Sequence, residues 1–394
     1  MKYTTLKSIA ENMPCSYGVE AGSSDINLPV SKVSNIDAEG NFHREFEIRG
    51  FTKKEAERYT SQDGDLLVVK SSGSKTNILS GKTAICTAGH SGKLVSSNFL
   101  LRLRVNKKKA NPRFLWYFLN SGFSKAFVKK VAGTTTYPNL KWDTYSSHPV
   151  PALPASEQKR IAEILDKADA IRRKRQQAIQ LADEFLRSVF LDMFGDPVSN
   201  PRGWKTTPIR LFGKVVTGNT PSRKRPEYYG DHIEWIKSDN INTPSHFLTS
   251  ASEYLSESGR AVARTVPEGS ILVTCIAGSR DCIGNAAIAD REVAFNQQIN
   301  AIIPNDNVTA WFLYGQLLFA KPLVQSASTN SMKGMVSKSK FEQIELLSPP
   351  DHLQRKFVDI FQKHLELTEK LRTLRDESLE AFSSISQRAF RGDL

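Results

Sequence analysis

Apolar residues recur between positions 157 and 193 at Ile161, Ile164, Ala168, Ile171, Ala178, Phe185 and Val189, in steps that fit one stripe of a heptad-type helix. A second stripe runs through Phe357, Ile360, Leu367, Leu371, Leu374, Ala381 and Ile385. The two can be superimposed without a gap. Ile161, Ile164, Ile171, Ala178 and Val189 fall on Phe357, Ile360, Leu367, Leu374 and Ile385 at a constant shift of 196, as do Pro154 on Pro350 and Gln158 on Gln354. The pattern predicts two long helices, over 156–196 and 351–394, each following a globular segment, 1–155 and 197–350. Ser156 is the predicted N-cap of the first, Gly195-Asp196-Pro197 its stop, and Gly392 the stop of the second. At about 1.5 Å per residue each helix is roughly 55 Å long. The first leads from one head to the other and the second has to return, so antiparallel pairing is predicted. The pairing residues are taken to be Ile161, Ile164, Ile171, Ala178 and Phe185 against Phe357, Ile360, Leu367, Leu371, Leu374 and Ile385.

The heads echo each other more faintly. Gly64 to Val68 with Gly73 and Ser74 match Gly269 to Val273 with Gly278 and Ser279 at a shift of 205, and Phe114 to Tyr117 match Phe312 to Gly315 at 198. Short strands over 65–70 and 270–274, polar turns and an aromatic helix make each head α+β. The predicted architecture is therefore an α+β internal repeat with pseudo-two-fold symmetry, its heads joined by two long antiparallel coiled-coil helices.

A length of 394 residues calls for more than one core. No apolar run approaches the roughly 20 residues of a membrane span, and the N-terminus lacks a leader pattern, so a cytoplasmic location without membrane association is expected. Cys15, Cys86, Cys275 and Cys282 form no metal or redox motif, and the seven histidines show no ligand spacing, so no metal is expected. The formal charge of +13 points to an anionic partner, nucleic acid first. That charge is partitioned. Residues 1–155 carry +10 and 197–350 carry +3, while the two helical segments are each neutral.

Candidate contacts in the first head are the loop Lys70, Ser72, Ser74 and Lys75, the run Lys107, Lys108 and Lys109, and the hydroxyl–aromatic stretch with Thr135 and Tyr137. In the second they are Arg223, Lys224, Arg225, Lys237, Arg280, Lys333 and Lys338. Catalytic readings are weaker. Ser80-Gly81-Lys82-Thr83 looks like the tail of a phosphate-binding loop, but Thr76 stands where the opening glycine belongs, and a turn is the better reading. There is no Asn-Pro-Pro-Tyr signature, since Ser348-Pro349-Pro350-Asp351 lacks the amide, and no nuclease constellation. The competing readings are a nuclease or NTPase with a degenerate motif, and a coiled-coil scaffold whose basic heads bind nucleic acid or a protein.

The order of head, helix, head, helix resembles the specificity (S) subunit of Type I restriction–modification systems. The run from Pro151 through Glu157-Gln158 to Ile161 is similar to that family's start of its first conserved helix, and Phe190 to Pro197 to its end. Pro208 to Asn242, with Gly218-Asn219-Thr220-Pro221, Tyr228-Tyr229-Gly230 and Ile233 to Lys237, resembles the start of a target-recognition domain. The second helix departs from the pattern at His352-Leu353-Gln354 and at Phe390 to Leu394. The resemblance implies a non-catalytic, sequence-specific reader of double-stranded DNA serving antiviral defence. Each head would read one half of a split site, and the helices would set the spacer and dock two methyltransferase subunits. Cofactors would belong to partners: S-adenosylmethionine to the methyltransferase, ATP and Mg to the restriction subunits, with none in this chain.

Overall fold

The computed structural model describes residues 2–71, 79–131, 139–329 and 334–394. The chain divides into two compact units, Met1–Gln176 with Thr373–Leu394, and Gln177–Arg372. Each unit is one α+β head together with half of each long helix. The helices, Ala155–Phe194 and Asp351–Arg391, run unbroken through the positions where the units divide.

In the first unit a four-stranded antiparallel sheet has the order Ala10–Met13, Leu100–Val105, Leu66–Val69, Thr83–Ile85. Beside it, Ile26–Ser31 pairs with Glu47–Phe51 and, in parallel, with Val95–Ser96. Tyr3–Thr5 pairs with Pro149–Pro151 just before the first long helix. The second unit repeats the plan. Gly213–Thr217, Ile299–Pro304, Ile271–Thr274 and Ala286–Ile288 form the antiparallel sheet. Ile233–Ile236 pairs in parallel with Val293–Phe295, and Thr206–Pro208 pairs antiparallel with Glu345–Leu347 just before the second long helix. Leu66–Val69 is buried on both faces, and so is Ile271–Thr274, which explains why both read as short continuous apolar runs.

The matched residues have matched tasks. The Gln158 side-chain amide donates to the Leu153 carbonyl and that of Gln354 to the Pro349 carbonyl, both at 2.8 Å, tying each long helix to the strand before it. Pro154 rather than Ser156 receives the first helical hydrogen bond, from the Gln158 amide at 3.0 Å, so Ser156 lies inside the first turn and is not the cap. Gly195 and Gly392 end the helices at φ +78° and +87°, a left-handed conformation that other residues rarely adopt. Gly315 occupies the position of Tyr117 for a packing reason. A Cβ there would lie 2.7 Å from the Phe357 ring, whereas the first repeat has the smaller Ile161 in place of Phe357.

Within each unit the helices run antiparallel. In the first, Arg160 meets the Leu394 carbonyl at 2.8 Å, Arg172 lies over the Phe382 ring at 5.7 Å, and Arg175 donates to the Leu374 carbonyl. In the second, Asp183 approaches His364 at 3.3 Å and Phe190 packs on Phe357 with ring centroids 5.3 Å apart. The register differs from the apolar stripe. On the first helix the buried row is Ile161, Leu165, Asp169, Ile179, Leu186, Phe190 and Phe194. At Leu165, Asp169, Ile179 and Leu186 that row lies one residue beyond Ile164, Ala168, Ala178 and Phe185, a rotation of about 100°. Ile171 and Phe185 are 50% and 61% exposed. On the second helix Phe357 is buried, Ile360, Leu371 and Ile385 are half-buried, and Leu367 and Leu374 are exposed at 51% and 39%. Phe361, His364, Thr368 and Ser378 take the inner row instead. Polar residues fill its middle because they bond locally. Asp169 receives Arg172 and Arg173, Thr368 donates to the His364 carbonyl at 2.9 Å, and Ser378 to the Arg375 carbonyl at 2.6 Å.

The cores absorb the helix ends. Phe190 and Phe194 join Phe312, Phe357 and Phe361 in the second unit, and Ala389 and Phe390 join Phe114 and Phe118 in the first. His148 is packed in the first unit's core, stacked on Phe127 at 4.1 Å with Nε2 2.9 Å from the Ser124 hydroxyl, and burial lowers its pKa to about 4.

Phe357→Ala is expected to destabilise the second unit by about 3–5 kcal/mol, while Phe185→Ala changes stability by less than about 0.5 kcal/mol. Urea unfolding of both variants decides between the observed register and the apolar stripe. The neutral state of His148 gives a second expectation. The unfolded chain takes up a proton near pH 6.5 and the folded chain only near 4, so the contribution is complete above about 6.5 and declines as pH falls through that window. His148→Gln should flatten the acid limb of a stability–pH curve by up to about 1.4 kcal/mol per pH unit between those values.

Candidate nucleic-acid interface

The strand Ile26–Ser31 delivers Lys32 to a short 3₁₀ turn, Val33–Asn35, and Ile233–Ile236 delivers Lys237 to its equivalent, Ser238–Asn240. In both, the lysine amide donates to the asparagine side chain, at 2.9 Å to Asn35 and 3.0 Å to Asn240. Each asparagine then donates to backbone carbonyls of the next segment, Asn35 to Glu45 and Asn240 to Ser250. The lysine side chains end on a glutamate. Lys32 pairs with Glu47 and Lys237 with Glu253. An arginine completes each group, Arg49 on Glu47 and Arg223 on Glu253, and lies over a tyrosine ring at 4.4 Å, Tyr17 and Tyr229 respectively. Two cations share one carboxylate, so each group keeps a net positive charge. The Lys32 and Tyr17 hydrogen bonds hold Glu47 below the usual carboxylate range, and Lys237 does the same for Glu253.

In the first unit this group borders a cleft of about 910 Å³, whose walls include Tyr17, Lys32, His43, Arg44, Asn98 and Phe99. Phe99 is 63% exposed, and Arg44 holds a left-handed φ of +63°. Lys70 is close by, its amide donating to the Phe99 carbonyl at 2.9 Å and its own carbonyl accepting from Leu140 at 2.7 Å. In the second unit the Gly218-to-Pro221 turn supports the aromatic members. The Trp235 indole donates to the Asn219 carbonyl at 3.2 Å and the Tyr229 hydroxyl to that of Pro221 at 2.7 Å. A Cβ on Gly218 would lie 2.2 Å from the Asn296 carbonyl oxygen, so only glycine fits there.

The candidate residues divide accordingly. Lys70 stands beside the cleft. Lys107, Lys108 and Lys109 follow the other end of the strand that Phe99 precedes, about 20 Å along it at roughly 3.4 Å per residue. There Lys107 pairs with Asp63 at 3.0 Å and Lys109 donates to the Ser8 carbonyl at 3.1 Å, beside the start of the long helix. One patch therefore does not contain both sets. Arg223 and Lys237 share Glu253, Arg225 donates to the Tyr228 hydroxyl at 2.8 Å, and Lys224 is exposed. Arg280 is exposed on a 3₁₀ turn, and Lys338 pairs with Glu342 along its short helix. Ser72, Ser74, Lys75, Thr135, Tyr137 and Lys333 lie outside the described residues. Lys32, Arg44 and Phe99 were not among the candidates. The shift of 205 that relates Gly64 to Gly269 also carries Lys237 onto Lys32, and that signal was sufficient to find it.

The phosphate-loop look-alike is a turn. Gly81 has φ +90°, Lys82 closes the turn on the Leu79 carbonyl, and the Thr83 hydroxyl donates to Gly81 at 2.9 Å. Burial raises the thiols of Cys86 and Cys275 to about 12, which leaves both unreactive near neutral pH. No helix among the described residues is long and apolar enough to cross a membrane.

Doubled α+β heads, paired long helices and a repeated cationic–aromatic group define a two-headed recognition fold. The chain belongs to the family described as Type I restriction modification DNA specificity domain, which it matches over residues 49–181 and 201–381. It is 33% identical over 174 residues to the Type I restriction enzyme HindI specificity subunit of Haemophilus influenzae; that match spans 42% of this chain and 37% of the relative. Over 364 residues, 88% of this chain and 82% of the relative, it is 21% identical to the putative Type I restriction enzyme MjaX specificity subunit of Methanocaldococcus jannaschii. A solved structure concerned with assembly and conformational transition of the type I R-M system aligns over all of this chain and 98% of that one. Its TM-score of 0.59 at 18% identity is a likeness of fold.

Charge reversal separates the two patches of the first unit. Lys70→Glu and Arg44→Glu should each weaken binding to duplex DNA and lower the salt slope by about one. Lys107→Glu should leave both unchanged. Fluorescence anisotropy across a salt series measures all three.

Proposed function

We propose that this chain is the DNA-reading subunit of a Type I restriction–modification complex, that it performs no chemistry itself, and that each head reads one half of a split site. The repeated group around Lys32 and Lys237 carries this reading. Two heads of one ancestry present the same cationic–aromatic anchor, while the segments around it differ. Shared lysine and arginine suit the phosphate backbone, which is alike at both half-sites, and unlike side chains suit base edges, which are not. Exposed apolar residues outside the paired row, Ile171 and Leu374 in one unit and Phe185 and Leu367 in the other, are surfaces for protein partners, the methyltransferase subunits first. S-adenosylmethionine, ATP and Mg act in those partners and in the restriction subunits. The scaffold reading has no account of paired anchors with divergent surroundings.

A methylation map provides the test. DNA from a methylation-free host carrying this gene with its neighbouring methyltransferase gene should show a new split motif with modified adenines in both halves. A control without this gene should lack it. Methylation independent of the chain would return the scaffold reading. A variant with both long helices shortened by the same number of turns should keep the half-sites and shorten the spacer.

A further inference from the structure

Asp183 on the first long helix, His246 in the loop after the Ser238–Asn240 turn, and His364 on the second long helix converge inside the second unit. One carboxylate oxygen and one nitrogen of each ring lie within 4.8 Å of one another. We propose that these three residues bind a divalent metal ion of the zinc class, fastening the recognition head to its own pair of helix segments.

The first observation is a poorly satisfied buried group. His364 is only 5% exposed, and its Nε2 makes no well-aligned hydrogen bond, only an ion-pair approach to Asp183. Asp183 Oδ1 is 3.3 Å away but off the line of a hydrogen bond. A buried ring nitrogen met only by a misaligned carboxylate is poorly satisfied, and an ion between the two would satisfy both. The 3.3 Å separation of Asp183 and His364 also fits. Zinc bonds of about 2.0–2.1 Å at tetrahedral angles place neighbouring ligand atoms roughly 3.3–3.4 Å apart.

The surroundings suit a metal in three further ways. The Tyr314 hydroxyl, 3.0 Å from His246 Nδ1, holds that ring in place, as an outer partner of a ligating histidine commonly does. Phe361 packs edge-on against His246 at 5.3 Å and lies 6.1 Å from His364, so an apolar wall closes one side. Asp183 is about half exposed, which leaves a route for the ion and a place for a water as fourth ligand. Arg372, held on the Pro244 carbonyl at 3.2 Å, is the opposing charge that the carboxylate has to outweigh.

This arrangement is not a by-product of the repeat. At the shift of 196 the counterparts of His364 and Asp183 are Ala168 and Leu379, neither of which ligates a metal. A metal at this position does not depend on what the heads bind.

The test is zinc titration of the full-length chain after removal of metal with a chelator, using competition with a chromophoric indicator. Cobalt substitution then reports geometry. One equivalent of Zn²⁺ per chain, an intense tetrahedral cobalt spectrum and a raised Tm are expected. Asp183→Asn, at a half-exposed position, and His246→Gln should each weaken binding at least tenfold, with metal-free Asp183→Asn still unfolding cooperatively. Binding of equal strength in the parent and in both variants would overturn the proposal. So would the absence of any stoichiometric binding by the parent chain, or a weak octahedral cobalt spectrum.

Discussion

Each unit completes its core with residues from the other repeat, and this constraint governs the rest of the fold. Phe190 and Phe194 close the first long helix yet pack among Phe312, Phe357 and Phe361 of the second unit. Ala389 and Phe390 close the second helix and pack against Phe114 and Phe118 of the first. Aromatic burial of this kind contributes several kcal/mol per ring, far more than the exposed ion pairs along the helices. Antiparallel pairing is the way a single chain satisfies both cores, because each helix has to begin on one head and end in the other.

With the ends anchored by large rings, the middle of the paired row is free to be polar. Asp169 with its two arginines, Thr368, Ser378 and His364 occupy positions that a strict coiled coil would fill with leucine or isoleucine. The hydrogen bonds of Asp169, Thr368 and Ser378 close within their own helices, so these residues can be buried in the row without needing a partner across it. Pairing is thus set by the contacts that cross between the helices, such as Arg175 on the Leu374 carbonyl and Asp183 beside His364, and is held by the aromatic residues at the ends of the row. The apolar residues displaced to the outside, such as Ile171, Phe185 and Leu367, are then available to other proteins.

The heads divide the work in a similar way. The 3₁₀ turn, its asparagine and the lysine–glutamate–arginine group recur because they support a backbone shape and a charge, and both are needed at each head. What surrounds them has diverged. Lys70 and Lys107 to Lys109 looked equivalent as basic runs, but six strand residues separate their positions, and only Lys70 stands with Arg44 and Phe99.

By itself the sequence determined the duplication, the α+β class, both long helices with their glycine stops, the matched glutamines and the family. Each of these is local or repeats at a fixed shift, and a linear string records such features directly. Tertiary structure alone decided the face on which the helices meet. Hydrophobic periodicity marks every apolar row, and these helices carry two rows about 100° apart, one turned inward and the other outward. It also decided which cations gather at one cleft, and it brought Asp183, His246 and His364 together from three distant segments. No spacing rule registers such a group, because its geometry is created by packing between elements and not along any one of them.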